Sequence, residues 1–351
     1  MKHHFFTVVA IIGLLCAMPE VARADLTSAG VWTGNVGLSV DGVGSNSSPV
    51  GSVQAEIPVG STILQAYLYS AGSPFPWYPD NGAPSSPTTL AEYNGSGITL
   101  AGNAITNFDT LVGAVSTPRP DIGQWFTARA DVTSLVQSLT TGAATDSFSW
   151  SVTEGTLNNR IDGEALAIVY SHPSQPLGSV ALLDGGQDTG GETTIVTLGA
   201  PLTDPTASGF RGELGLGISF SCCDQQSTIE INDTLLTDFA GNNDDGAILE
   251  DGSLITVGGI GDNPGNNVFS YNDDDELYNL APFLNTGDTS FKIFTNNGTA
   301  DDNIFFSSLY LTGMITDVQP VPEPGTMALL GIGLAALGLR GRKTWLARFS
   351  N

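Results

Sequence analysis

Acidic and amide residues gather in the second half of the chain in clusters that could donate oxygen to a cation. They read Asn242-Asn243-Asp244-Asp245-Gly246, Glu250-Asp251, Asp262-Asn263, Asp273-Asp274-Asp275-Glu276 and Asp301-Asp302-Asn303. Calcium takes about six to eight oxygen ligands, and Asp, Asn and backbone carbonyls in loops can supply them. Asp244, Asp245, Asp273, Asp274, Asp275, Asp301 and Asp302 are therefore the candidate calcium ligands, and calcium is the only cofactor the sequence suggests. No EF-hand fits, because with Gly246 as the sixth loop residue the first and twelfth fall on Gly241 and Gly252. A solvated acidic surface is the plain alternative, and at Asp273 to Glu276 so is a favourably charged helix start.

Other chemistry has little to work with. Between residues 25 and 322 the only histidine is His172 and the only cysteines are Cys222 and Cys223. Zinc sites want several Cys or His ligands, and a Ser/His/Asp or Cys/His system would have to be built on His172 alone. His172 stands where an apolar run meets Pro173, which reads as a strand end. Cys222-Cys223 can close on itself as a disulfide in an oxidising compartment, or stay as two thiols, or pair between chains. Paired carboxylates could serve a glycosidase or lyase, but acids are too abundant here for any pair to be informative. Trp77, Tyr78, Trp125 and Trp150 could stack on sugar rings or pack in the core. The expectation is a protein that is not an enzyme.

The segment 25–322 holds 34 acidic residues against five basic ones, Arg119, Arg129, Arg160, Arg211 and Lys292, so its formal charge is −29. Nucleic acid is then excluded as a partner, because its phosphates must be neutralised by Lys and Arg.

The elements that must carry these residues read as strands. Gly, Thr, Ser, Asn, Asp and β-branched residues recur, and Lys is scarce, which is strand-and-turn composition. Strands are predicted at Ile63–Tyr69, Phe148–Thr153, Ala165–Tyr170, Val180–Leu183, Thr193–Leu198, Leu214–Phe220, Thr228–Ile231, Leu254–Val257, Ser290–Thr295 and Ile304–Leu311. Two short helices are predicted, from Asp131 towards Gly142 and from Asp274 towards Gly287, each followed by a strand. That shared order suggests two related β-units. The expected class is all-β, a β-sandwich or jelly-roll-like body with units at 25–173 and 174–318, the second acidic.

Both ends read as addresses. Lys2-His3-His4, the apolar run Phe5 to Ala17 and Ala22-Arg23-Ala24 form the three parts of a secretory signal, residues 1–24. At the other end, Val321-Pro322-Glu323-Pro324-Gly325-Thr326 precedes an apolar stretch, Met327 to Leu339, and then Arg340-Gly341-Arg342-Lys343. A helix over 326–339 covers about 20 Å, short of a hydrocarbon core unless flanking residues snorkel or the bilayer thins. The basic end, Arg340, Arg342 and Lys343, would stay cytoplasmic.

This ending resembles the PEP-CTERM sorting signal, in which Pro322-Glu323-Pro324, the apolar helix and the Arg-rich end match in order and spacing over 319–351. Thr344 to Asn351 run on past the basic cluster further than is usual. The resemblance implies processing by an exosortase that cuts near the motif and a transient tether in the inner membrane through the C-terminal helix. It also implies export to the surface or extracellular matrix of a Gram-negative bacterium, where extracellular polysaccharide of a biofilm would be a partner. A non-enzymatic matrix component is the leading expectation, ahead of a calcium-dependent carbohydrate-binding module.

Overall fold

The computed structural model describes residues 26–44, 49–72, 89–112, 125–157, 161–187, 191–219, 226–241, 255–265, 276–298 and 303–321. Every strand pairing among them is antiparallel, and the pairings make four sheets. The first outer sheet has the order β3 (Val50–Glu56), β9 (Ser147–Thr153), β5 (Thr99–Leu100), β6 (Asn103–Ala104). Facing it is an inner sheet ordered β2 (Val36–Val43), β10 (Ile161–Ser171), β4 (Thr62–Gly72), β8 (Phe126–Asp131), β7 (Phe108–Val112). The second inner sheet runs β1 (Thr27–Gly34), β11 (Gly178–Asp184), β19 (Asn303–Leu311), β13 (Gly212–Ser219), β16 (Ile255–Val257), with β17 (Leu277–Asn279) also on β13. Its outer partner runs β15 (Thr234–Ala240), β14 (Ser227–Ile231), β18 (Ser290–Asn297), β12 (Glu192–Leu198), β20 (Ile315–Pro320).

Burial shows how the sheets stack. The outer strands β3, β9, β14 and β18 alternate between buried and less buried positions, whereas β11 and β19 are buried at every residue and β10 at all but its last. A strand buried on both faces has lost its period of two because a layer covers each side. The apolar clusters supply those layers. Val53, Ala55 and Val152 of the first outer sheet meet Leu68, Leu166 and Ile168, and Val196, Ile229 and Phe291 of the second meet Leu214, Leu309 and Leu311. Between the inner sheets lies a third cluster, with Tyr69, Ala165, Ala167 and Val169 packed against Val180, Leu182, Phe305 and Phe306. The small Ala165 and Ala167 leave room for the large rings opposite, as close packing demands.

The all-β expectation is borne out, and each strand predicted from the sequence overlaps a strand. The two inner sheets share an order, β2-β10-β4-β8 and β11-β19-β13-β16, and so do the outer ones, β3-β9-β5-β6 and β12-β18-β14-β15. The last strand of each inner set also bulges early against its neighbour, at Asp162 in β10 and at Phe305 in β19. β1 departs from the sequence division, since it lies within 25–173 but pairs with β11 from Thr27↔Asp184 to Gly34↔Gly178.

Of the two expected helices, the first is α2 (Thr133–Thr140), entered where Asp131 Oδ1 accepts the Thr133 N–H at 2.9 Å. A shorter α1 (Leu90–Gly95) carries a capping box in which Thr89 and Glu92 satisfy each other's backbone N–H. The second expected helix is corrected: Leu277–Asn279 is strand β17, followed by a 3-10 turn at Ala281–Phe283. Pairing of Tyr278 with Leu214 outweighs the local preference. Among the described residues no helix is long and apolar enough to cross a membrane. The expected signal 1–24 and span 326–339 lie outside them.

Candidate functional site

A cluster of buried carboxyls sits at one end of the first sandwich. In β10 the apolar run is interrupted by Asp162 and Glu164, two residues apart, and both are buried. Glu164 pairs across the ladder with Ser70, whose hydroxyl donates to Glu164 Oε1 at 3.2 Å. The Ser70 carbonyl in turn accepts the buried Tyr93 hydroxyl at 3.0 Å. Glu154, just beyond β9, is only 3 % exposed, and its Oε2 has no hydrogen-bond partner. Its backbone is held where Glu154 N–H donates to the Pro49 carbonyl at 3.0 Å. The next residue, Gly155, has φ +63°, and a Cβ there would lie 2.2 Å from the Ser96 carbonyl oxygen.

Burial disfavours the charged form of a carboxyl, and a neighbouring carboxylate disfavours it further. Burial pushes Glu164 up to about 8 despite the Ser70 hydroxyl. Burial, reinforced by Glu164 and Asp162, pushes Glu154 up to about 10. Both shifts favour the protonated carboxyl. Asp41 in β2 is raised to about 6 by burial, against the pull of the Gln54 N–H that donates to it.

A second polar cluster crosses the seam between the inner sheets. Tyr69 donates to Asp184 Oδ2 at 3.1 Å, and Arg129 pairs with the same oxygen. Arg129 also lies over the Tyr67 ring, 4.7 Å from its centroid. Burial raises the Asp184 carboxyl, and Arg129 and Tyr69 offset that only in part. Further along the seam, a cavity of about 430 Å³ is lined by Glu56, Tyr170, Arg211, Glu213, Asp262 and Ser308, among others. Its one guanidinium is engaged, because Arg211 pairs with Glu213 at 2.7 Å and lies 4.1 Å over the Tyr310 ring.

The residues singled out from the sequence are placed unevenly. Asp244, Asp245, Asp273, Asp274, Asp275, Asp301, Asp302, Cys222, Cys223, Trp77 and Tyr78 lie outside the described residues, as do Pro322, Glu323, Pro324, Arg340, Arg342 and Lys343. Among the described residues no group of three or more His, Cys, Asp or Glu side chains is arranged to hold a metal ion. Asp262 accepts the Gly259 N–H at 2.6 Å and shapes its own turn. His172 follows β10, where its Nδ1 and the Ser174 hydroxyl share a hydrogen bond of 2.6 Å. Trp125 and Trp150 are buried, and Trp150 stacks on Phe148 at 5.3 Å. Sequence reasoning overlooked Glu154, Asp162 and Glu164. The signal was present in Ile161-Asp162-Gly163-Glu164-Ala165, two acids on alternate positions of an otherwise apolar strand.

At the far end of the chain β20 forms the edge of the outer sheet, on β12 alone. The pairing runs to Thr194↔Pro320, and Val321 N–H donates to the Thr193 carbonyl at 2.7 Å. One residue away, Glu192 Oε1 accepts the Leu26 N–H at 3.1 Å, so the first and last described residues meet the same short stretch of β12. Residues 320–343 match the PEP-CTERM protein-sorting motif. No curated protein matches the chain. A motif of this kind belongs to an exported protein that is processed by an exosortase and transiently anchored at the membrane by its C-terminal region. It begins at Pro320, the last residue of β20.

Proposed function

We propose that this protein is a non-enzymatic component of the cell surface or extracellular matrix of a Gram-negative bacterium, associated with exopolysaccharide in a biofilm. The observation that carries the proposal is the sorting motif at 320–343, which directly follows a folded, strongly acidic β-body. The body would be two tandem units near 25–173 and 174–318, with β1 lent to the second. Counted along the chain, the eight main strands of each half are ordered 1-8-3-6 in one sheet and 2-7-4-5 in the other, which supports a jelly roll for each. Residues 1–24 would direct export, and the helix at 326–339 would hold the chain until cleavage. The buried carboxyls of Glu154 and Glu164 favour a structural role, since they are sealed within a core.

The test is to express the full chain in a cell that has an exosortase and to compare it with a variant in which Pro322, Glu323 and Pro324 are all changed to Ala. The unaltered chain should appear shortened and outside the cell, and the variant full-length in the membrane fraction. A full-length, unaltered chain in the cytosol overturns the proposal.

A second reading is a calcium-dependent carbohydrate-binding module. It is favoured by the strand order, since jelly rolls include lectins, an analogy at the level of fold alone. Retention on exopolysaccharide that chelator abolishes would select it.

A further inference from the structure

We propose that β20 must come away from β12 before the sorting enzyme can cut the chain, so that this edge strand sets the rate of processing. The inference rests on the sorting reading above and concerns how the folded body and the cutting enzyme compete for one segment. A peptide-cleaving site that grips an extended substrate uses the same backbone N–H and C=O groups that pair one strand with the next. Just before Pro322-Glu323-Pro324 those groups are engaged. Gln319 and Pro320 stand opposite Ile195 and Thr194, and the Val321 N–H is held by the Thr193 carbonyl at 2.7 Å.

Slack on the other side is small. From Val321 to Met327, where the apolar stretch begins, there are six residues, which reach at most about 20 Å when fully extended. A body tethered that closely leaves little room for an enzyme to enclose the motif while β20 stays paired.

The strand is built to leave. Within its sheet it pairs on one side only, it packs on β1 and β11 across the sandwich through few side chains, and of those only Ile315 and Val318 are buried, while Thr316, Asp317 and Gln319 are exposed. Few buried apolar contacts and exposed backbone pairs are the marks of a segment that opens locally, without global unfolding. Opening still uncovers Val196 and its neighbours in the second core, so the paired state dominates and the open one is brief.

The experiment uses the full chain in exosortase-containing cells and follows the ratio of cut to uncut protein. Ile195 and Gln319 face each other across the ladder, and Gln319 is exposed. In the double variant Ile195→Cys/Gln319→Cys, a disulfide seen on a non-reducing gel would lock β20 in place. The locked chain should be cut at least about tenfold more slowly, as expected when a local opening is blocked. Each single variant should be cut like the unaltered chain. A Gly/Ser linker of about ten residues inserted after Val321 should restore cutting of the locked chain by supplying reach. Cutting of the locked chain at the ordinary rate, or failure of the linker to rescue it, overturns the inference. An unaltered chain that is never cut instead removes the sorting reading, and that outcome is visible before any lock is compared.

Discussion

Tyr69 of the first inner sheet donates its hydroxyl to Asp184 of the second at 3.1 Å, and Arg129 pairs with the same carboxylate oxygen. The three groups tie the two inner sheets together beside the apolar packing of Val180, Phe305 and Phe306. Loss of the carboxylate takes from Arg129 and Tyr69 their shared acceptor, and removing one member of a buried ion pair costs about 3–5 kcal/mol. Asp184→Ala should therefore lower stability by about that amount, measured by urea denaturation. The double variant Arg129→Met/Asp184→Leu should cost less than the single one, because both charges and their desolvation are removed together. A double variant less stable than Asp184→Ala would show that the polar link itself outweighs its desolvation.

The buried acids set the response to pH. Burial pushes Glu164 up to about 8 and Glu154 up to about 10, against an ordinary 4.5, and for Glu154 the neighbouring Glu164 and Asp162 add to the rise. Between those values the folded chain binds more protons than the unfolded one. Their contribution to stability is therefore complete below about pH 4.5, the unfolded value, and is lost as pH rises through the folded values. A melting temperature that declines steadily from pH 5 to pH 9 is expected, with a shallower decline in Glu164→Gln. A flat profile would mean that these carboxyls are already ionised in the fold.

Gly155 makes the turn beside Glu154 possible. With φ +63° and the Ser96 carbonyl 2.2 Å from the place of a Cβ, any side chain forces either the turn or the C-terminal cap of α1 at Ser96 to move. Gly155→Ala should destabilise the protein by about 1–3 kcal/mol in urea titration. Gly142→Ala is the comparison: it shares a positive φ of +75° but has no atom within 4 Å of a Cβ, and it should cost less.

The second functional reading has its own thermal signature. If Asp244, Asp245, Asp273 to Asp275, Asp301 and Asp302 hold calcium, chelator lowers the melting temperature and added calcium restores it, by mass action on the folded state. An unchanged melt removes that reading and leaves the matrix proposal untouched.

Sequence alone disclosed the strands whose side chains state their own burial. Ala165–Tyr170 and Ile304–Leu311 are apolar runs between turn residues, and they became β10 and β19. It did not disclose β1, because Thr27 to Gly34 has few apolar residues and is held by β11, far along the chain. Nor did it disclose β17, where an acidic start mimicked a helix until Leu214 supplied a strand partner. The same contrast governs the site. Acids in loops drew attention by number, while Asp162 and Glu164 were concealed within a strand, and only the packing of Glu154 beside them showed that they form a cluster.

The pairing of Thr27 with Asp184 spans 157 residues. During synthesis the earliest strand of the body therefore stays solitary until the middle of the chain has been made, and a sticky hairpin with its immediate successor is the tempting mistake. The single residue Asn35 that separates β1 from β2 is too short for a hairpin turn, so the chain turns a corner there instead of doubling back. Maturation is thereby biased towards late closure, and a chain stalled before Asp184 would offer quality-control proteases an unclaimed strand.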